Sequence, residues 1–191
     1  MHPFTHSHVL QLDIQGTPQA WIPLEHAAAH VARGAVAWVD GVGPLATLRG
    51  GFNVARGRQS RIDVHPIMAL HGAPRVNLFD VVPAFSRAKL FRRDRLTCAY
   101  CGQRFAEREL QCEHILPASR GGRWTWMNLV SACGPCNGRK ADRTPEEARM
   151  PLLYLPYVPS RFEDFLLEGR AIRADVHEWL AARLPKGSRL N

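Results

Sequence analysis

CAYCGQRFAERELQCEHILPASRGGRWTWMNLVSACGPC, residues 98–136, begins and ends on a Cys-x-x-Cys pair. Cys98 and Cys101 form the first pair, Cys133 and Cys136 the second. Each pair is a short chelating knuckle in which both sulfurs can face one ion, and Gly134-Pro135 turns the second one. Two knuckles supply four thiolates, the closed tetrahedral set of a structural zinc site. A redox reading would need a βαβ setting that neither pair has. Cys112 is left over between apolar neighbours and reads as a small packed hydrophobe.

Everything between the knuckles is tied down by that metal. A clip of this kind orders a segment that has little core of its own. The segment carries an adjacent acid and base, Glu113 and His114, then Pro117 and an Arg120-Gly121-Gly122 arm. Asn137 follows the last cysteine, so the zinc holds its carboxamide near the acid and base. Carboxylate and amide oxygens suit Mg²⁺ or Mn²⁺. A neutral imidazole accepts a proton near pH 7. Neighbours on a regular strand point to opposite faces. Glu113 and His114 therefore converge only if the chain bends, and Pro117 and the glycines are where a bend is expected.

With these residues in place, the segment from Leu96 to Arg149 resembles an HNH endonuclease domain of the ββα-metal fold, in its four-cysteine subclass. The matching residues are CAYC, LQCEHILPASRGG and WMNLVSACGPCNGRKADRTPEEA. The name-giving positions fall on His114, Asn128 and Asn137. The resemblance implies that His114 is the general base and that Asn128 braces its loop. It also implies that Glu113 and Asn137 ligate a catalytic Mg²⁺ or Mn²⁺. Aspartate or histidine is usual at the position of Glu113, which keeps the charge but adds a methylene. Less sharply, residues 9–40 look like the N-terminal region of free-standing bacterial HNH proteins.

The bulk composition agrees with a polyanionic partner without naming it. Lys and Arg outnumber Asp and Glu by 25 to 17, for a net charge of +8. Nearly all of the cations are arginines, which suit bidentate phosphate contacts; a GC-rich genome yields the same bias. No apolar run reaches the ~20 residues of a membrane span. The N-terminal stretch lacks the pattern of a signal peptide. A reducing, cytoplasmic setting is expected, with thiols rather than disulfides.

Outside the module, VLQLDI alternates as a half-buried strand. Pro23 starts a helix ending at Gly34, and AVAWVDG reads as a strand meeting a turn. RGGFNVARGRQSR, residues 49–61, is too poor in apolar residues for a core element and reads as a flexible basic loop. Ser86 caps a helix through AKLFRRDR, which places Arg92, Arg93 and Arg95 either along a phosphate backbone or on a solvated face. Thr144-Pro145-Glu146-Glu147 is a capping box. SRFEDFLL and ADVHEWLAARL read as amphipathic helices. Trp124 and Trp126 flank the approach to Asn128, and at least one of them belongs under the loop as packing.

These readings assemble into an α+β chain. A small mixed β-rich N-terminal region (1–85) precedes a zinc-stapled ββα-metal module (86–150) and a C-terminal helical extension (151–191). The expected activity is divalent-metal-dependent DNA hydrolysis leaving 5′-phosphate and 3′-hydroxyl ends. The expected partner is double-stranded DNA, held at its backbone by Arg120, Arg123, Arg139 and Lys140, with the chain as monomer or homodimer. The alternative is a non-catalytic, zinc-stabilised nucleic-acid-binding module on the same frame.

Overall fold

In the computed structural model, which describes residues 8–73 and 81–190, the chain forms two compact units and is α+β as expected. The first comprises residues 1–78 and 170–182, the second residues 79–169 and 183–191. The C-terminal segment is therefore divided between the two units and is not an extension of its own.

In the first unit the strands differ in burial, from the wholly buried β6 to the largely exposed outer part of β5. The elements are β1 (His8–Leu12), β2 (Pro18–Pro23), α1 (Leu24–Ala32), β3 (Val36–Asp40), β4 (Ala46–Asn53), β5 (Arg58–Val64) and β6 (Ile67–Leu70). Four of the strands form a sheet in the order β2-β1-β6-β3, with β1 and β6 parallel and the other pairs antiparallel. Helix α1 starts after Pro23, as read. Gly34 follows it at φ +67, a left-handed position that glycine takes without a Cβ penalty. Val9, Ile22, Ala27, Val64 and Met68 form the core, with Leu48 and Ile62 packed against it.

Residues 49–61 are not a loop. They form most of the β4–β5 ribbon, antiparallel from Ala46↔Val64 to Asn53↔Arg58 with a register shift between Arg49 and Phe52. Composition concealed this because only the base of the ribbon meets the core. Beyond Arg49 and Arg61, backbone pairing alone defines the strands.

The second unit contains α2 (Arg87–Arg93), β7 (Leu110–His114), β8 (Leu129–Cys133), α3 (Gly134–Lys140) and α4 (Arg161–Leu167); α5 (Ala174–Ala181) lies in the first unit. Strands β7 and β8 make an antiparallel hairpin in the register Leu110↔Cys133 to His114↔Leu129. Its core is Leu90, Phe91, Leu110, Trp126 and Leu129, with Cys112 packed alongside. Ser86 caps α2 by accepting the Lys89 N–H at 3.2 Å. The 144–147 capping box closes with Thr144 and Glu147 bonded reciprocally, although only turns follow it.

Arg93 fits neither expected role, phosphate contact or solvated face. It is 0% exposed. Its guanidinium donates to Asp94 Oδ1 (2.8 Å) and to the carbonyls of Trp126 (2.8 Å), Tyr157 (2.9 Å) and Leu129 (2.9 Å). The other Asp94 oxygen accepts the Ser131 N–H at 2.8 Å. A planar five-donor fork satisfies three carbonyls from separate segments where an ammonium does not. Trp126 is buried as well, donating its indole N–H to the Pro83 carbonyl at 2.8 Å. Trp124 is exposed.

Candidate metal centre and hairpin site

The four cysteines come together. Cys98 and Cys101 lie in the turn before the hairpin, Cys133 ends β8, and Cys136 sits in the first turn of α3. Their sulfurs all lie within 4.8 Å of one another. Tetrahedral sulfurs about 2.3 Å from zinc would sit nearly 4 Å apart, so the residues present fit the ion. Burial opposes ionisation of Cys98, yet the backbone N–H groups of Cys101, Cys133 and Tyr100 bring its thiol down to about 7. Cys112 is outside the cluster, and burial raises its thiol.

The chain passes from the zinc knuckle into the hairpin with its two faces differently used. Leu110 and Cys112 turn toward the α2 core. Gln111 and Glu113, the alternate residues, meet α3. Asn137 donates to Gln111 Oε1 at 2.6 Å, and Lys140 donates to Glu113 Oε1 at 2.6 Å. The i, i+3 spacing of Asn137 and Lys140 on the helix matches the i, i+2 spacing on the strand. Both periods are present in the sequence, so these two rungs were available to a reading that tested strand against helix. Tyr100 is the other residue left out of that reading. Burial and then the charge of Glu113 push its phenol upward, so it lies in the field of the same carboxylate.

This arrangement corrects two expectations. Lys140 is 0% exposed and bound to Glu113, so its ammonium is not offered to a DNA backbone. Glu113 is 6% exposed, and one of its oxygens is held by that ammonium. A hard divalent ion needs an open position and several waters, and a second cation a few ångströms from the first is repelled. As arranged, Glu113 and Asn137 do not fit a catalytic Mg²⁺ or Mn²⁺.

His114 closes β7 at the end of the hairpin. Its Nε2 is buried and has no hydrogen-bond partner, and its ring meets the edge of Trp124 at 5.1 Å between centroids. Directly after it, Ile115 N–H bonds to the Asn128 carbonyl at 2.9 Å. The Asn128 side chain accepts from Leu116 N–H (2.9 Å) and donates to the carbonyls of Leu116 (3.2 Å) and Arg123 (3.1 Å). Gly122 is required in this loop, since a Cβ there would stand 1.8 Å from the Leu116 carbonyl oxygen. Asn128→Ala is expected to lower the stability of the loop by ~1–3 kcal/mol, read as faster amide exchange confined to residues 115–128. Exchange unchanged across that stretch would remove Asn128 from the bracing role.

Of the basic residues read as backbone contacts, Arg123 and Arg139 are exposed and carry no ion pair among the described residues. Arg120 is exposed but bound at 2.7 and 2.8 Å to the two oxygens of Glu147, which holds that carboxyl below its usual range. Among the described residues, no helix is long and apolar enough to cross a membrane.

A hairpin and a helix brought together at four clustered cysteines, with a histidine at the hairpin end and an asparagine-braced loop after it, define a ββα module with a four-cysteine metal-binding set. Residues 98–153 match the family model of the HNH endonuclease, and the four-cysteine cluster lies within the matched stretch. No curated protein matches the chain.

Proposed function

We propose that the zinc module hydrolyses phosphodiester bonds in double-stranded DNA, with His114 as general base, leaving 5′-phosphate and 3′-hydroxyl ends. The observation that carries this reading is the His114 imidazole. It sits at the end of the four-cysteine hairpin with a buried Nε2 that no group among the described residues uses. A general base needs a nitrogen free to take the proton of an attacking water. Trp124 and the Asn128-braced loop limit the positions the ring can take. Arg123 and Arg139, unpaired and exposed, supply phosphate contacts whose strength falls with salt.

The resemblance also implies Mg²⁺ or Mn²⁺ on Glu113 and Asn137. Lys140 already holds that carboxylate, so no step is routed through such an ion. The same pair is the specific observation favouring the second reading, a nucleic-acid-binding module that does not cut.

The test is plasmid cleavage by the zinc-loaded chain, with and without added Mg²⁺ or Mn²⁺, wild type against His114→Ala. Wild type is expected to nick or linearise the plasmid, and the variant to be slower by ~10²–10⁴-fold, the usual contribution of general-base catalysis. Equal cleavage by the two proteins removes His114 from the role. Plasmid binding without cleavage by either selects the second reading.

A further inference from the structure

We infer that the β4–β5 ribbon of the first unit is a DNA-binding arm that lies in the major groove of B-form duplex. The choice of nucleic acid as partner rests on the reading of the zinc module just given. The shape and chemistry of the arm do not.

The ribbon, residues 46–64, contains four arginines and a single carboxylate, Asp63. The inner face of the ribbon, with Leu48, Ile62 and Val64, belongs to the core. On the outer face Arg49 stands directly across from Arg61. Like charges opposed on neighbouring strands are destabilising. Only Arg61 is relieved, by Asp63 at 3.0 Å. Arg49 and Arg58 are exposed and have no ion pair among the described residues. Past the register shift the ribbon has no core beneath it, and its end displays Phe52 at 64% and Val54 at 86% exposure. The shift contains Gly50 and Gly51, and a Cβ on Gly51 would have nothing within 4 Å. Glycine inside a strand marks a bulge, a bend or a close approach of another surface; here it accompanies the bulge and leaves the backbone uncovered.

Two features are thus unfavourable in water alone: an unneutralised Arg49 set against Arg61, and an apolar tip. A phosphate-lined groove relieves both. The guanidinium groups meet phosphates, and the tip meets base edges or thymine methyls. Two strands about 4.8 Å apart fit a major groove about 12 Å wide. The deep, narrow major groove of A-form RNA excludes them. Arg49 and Arg61 lie on the outer face and Arg58, by the period of two, on the other. Arginines thus flank the ribbon on both faces, as the two phosphate walls of a groove require and a flat anionic membrane does not.

The test measures fluorescence anisotropy of a labelled 30-base-pair duplex with the full zinc-loaded chain, in a His114→Ala background so that nothing is cut. Arg49→Ala/Arg58→Ala is expected to weaken binding and lower the slope of log K against log salt by about two, one for each lost phosphate contact. Phe52→Ser is expected to weaken binding with no change of slope, because an apolar contact releases no counterions. Unchanged affinity and slope in the double variant overturn the inference. Equal affinity for an A-form RNA duplex, or loss of binding only to anionic vesicles, overturns it as well. The two proposals fail separately. A chain that never cuts plasmid but binds through Arg49 and Arg58 loses the nuclease reading and keeps the arm; a chain that cuts while binding independently of them does the reverse.

Discussion

Removal of zinc is expected to unfold the second unit around its knuckles. The apolar cluster beside the cysteines is small, consisting of Cys98, Ala132 and Cys133 with Tyr100, Phe105 and Cys136 against it. Those few side chains do not replace four metal–sulfur bonds. Zinc binding contributes ~10–16 kcal/mol in small zinc-dependent folds. The α2–hairpin core is continuous with the knuckles, since Leu110 pairs with Cys133 and Phe105 packs on both clusters, so loss of the metal is transmitted to the hairpin. The expected result is one zinc per chain by elemental analysis. Chelation, or Cys98→Ser together with Cys133→Ser, should abolish amide-exchange protection in residues 97–140 and spare β1, β6 and α1. A purified chain without zinc, or protection that survives chelation, would refute the metal assignment.

Arg93→Met is expected to destabilise the same unit by ~3–5 kcal/mol, the range for breaking a buried ion pair from one side. Methionine fills much of the volume but leaves Asp94 buried and charged, with the carbonyls of Trp126, Leu129 and Tyr157 losing their donor. Arg93→Lys should rescue little, because one ammonium does not span three carbonyls and a carboxylate in fork geometry. Two units make a single two-state transition an unsafe measure. Amide exchange in 87–95 and 126–133 reads the effect locally. An Arg93→Met chain with normal protection and weakened DNA binding would return Arg93 to the surface role its sequence neighbourhood suggested.

Both predictions involve residues that look alike on paper and were not equally legible. The cysteines were legible because four thiolates at that spacing have few uses, and a short local motif carries the chemistry. Ser86 and Gly34 were legible for a similar reason: helix ends are closed by bonds within a few residues. Arg92, Arg93 and Arg95 form a run in which only burial separates one role from another, and burial is decided by segments far along the chain. The 49–61 ribbon was missed because pairing in β4–β5 rests on backbone hydrogen bonds, which composition does not register.

The site divides along the same line. The sequence by itself determined the zinc ligands, the acid–base pair at 113–114 and the general α+β plan, because each depends on residue type and short-range spacing. The tertiary structure decided which charges are available. It placed Glu113 on Lys140, Arg120 on Glu147 and Arg93 inside the second unit, and it left Arg123, Arg139, Arg49 and Arg58 without an ion pair among the described residues. An ionic side chain acts through whatever lies within a few ångströms of it. For these residues that neighbour comes from another element, and only the packing of the strands and helices brings it there.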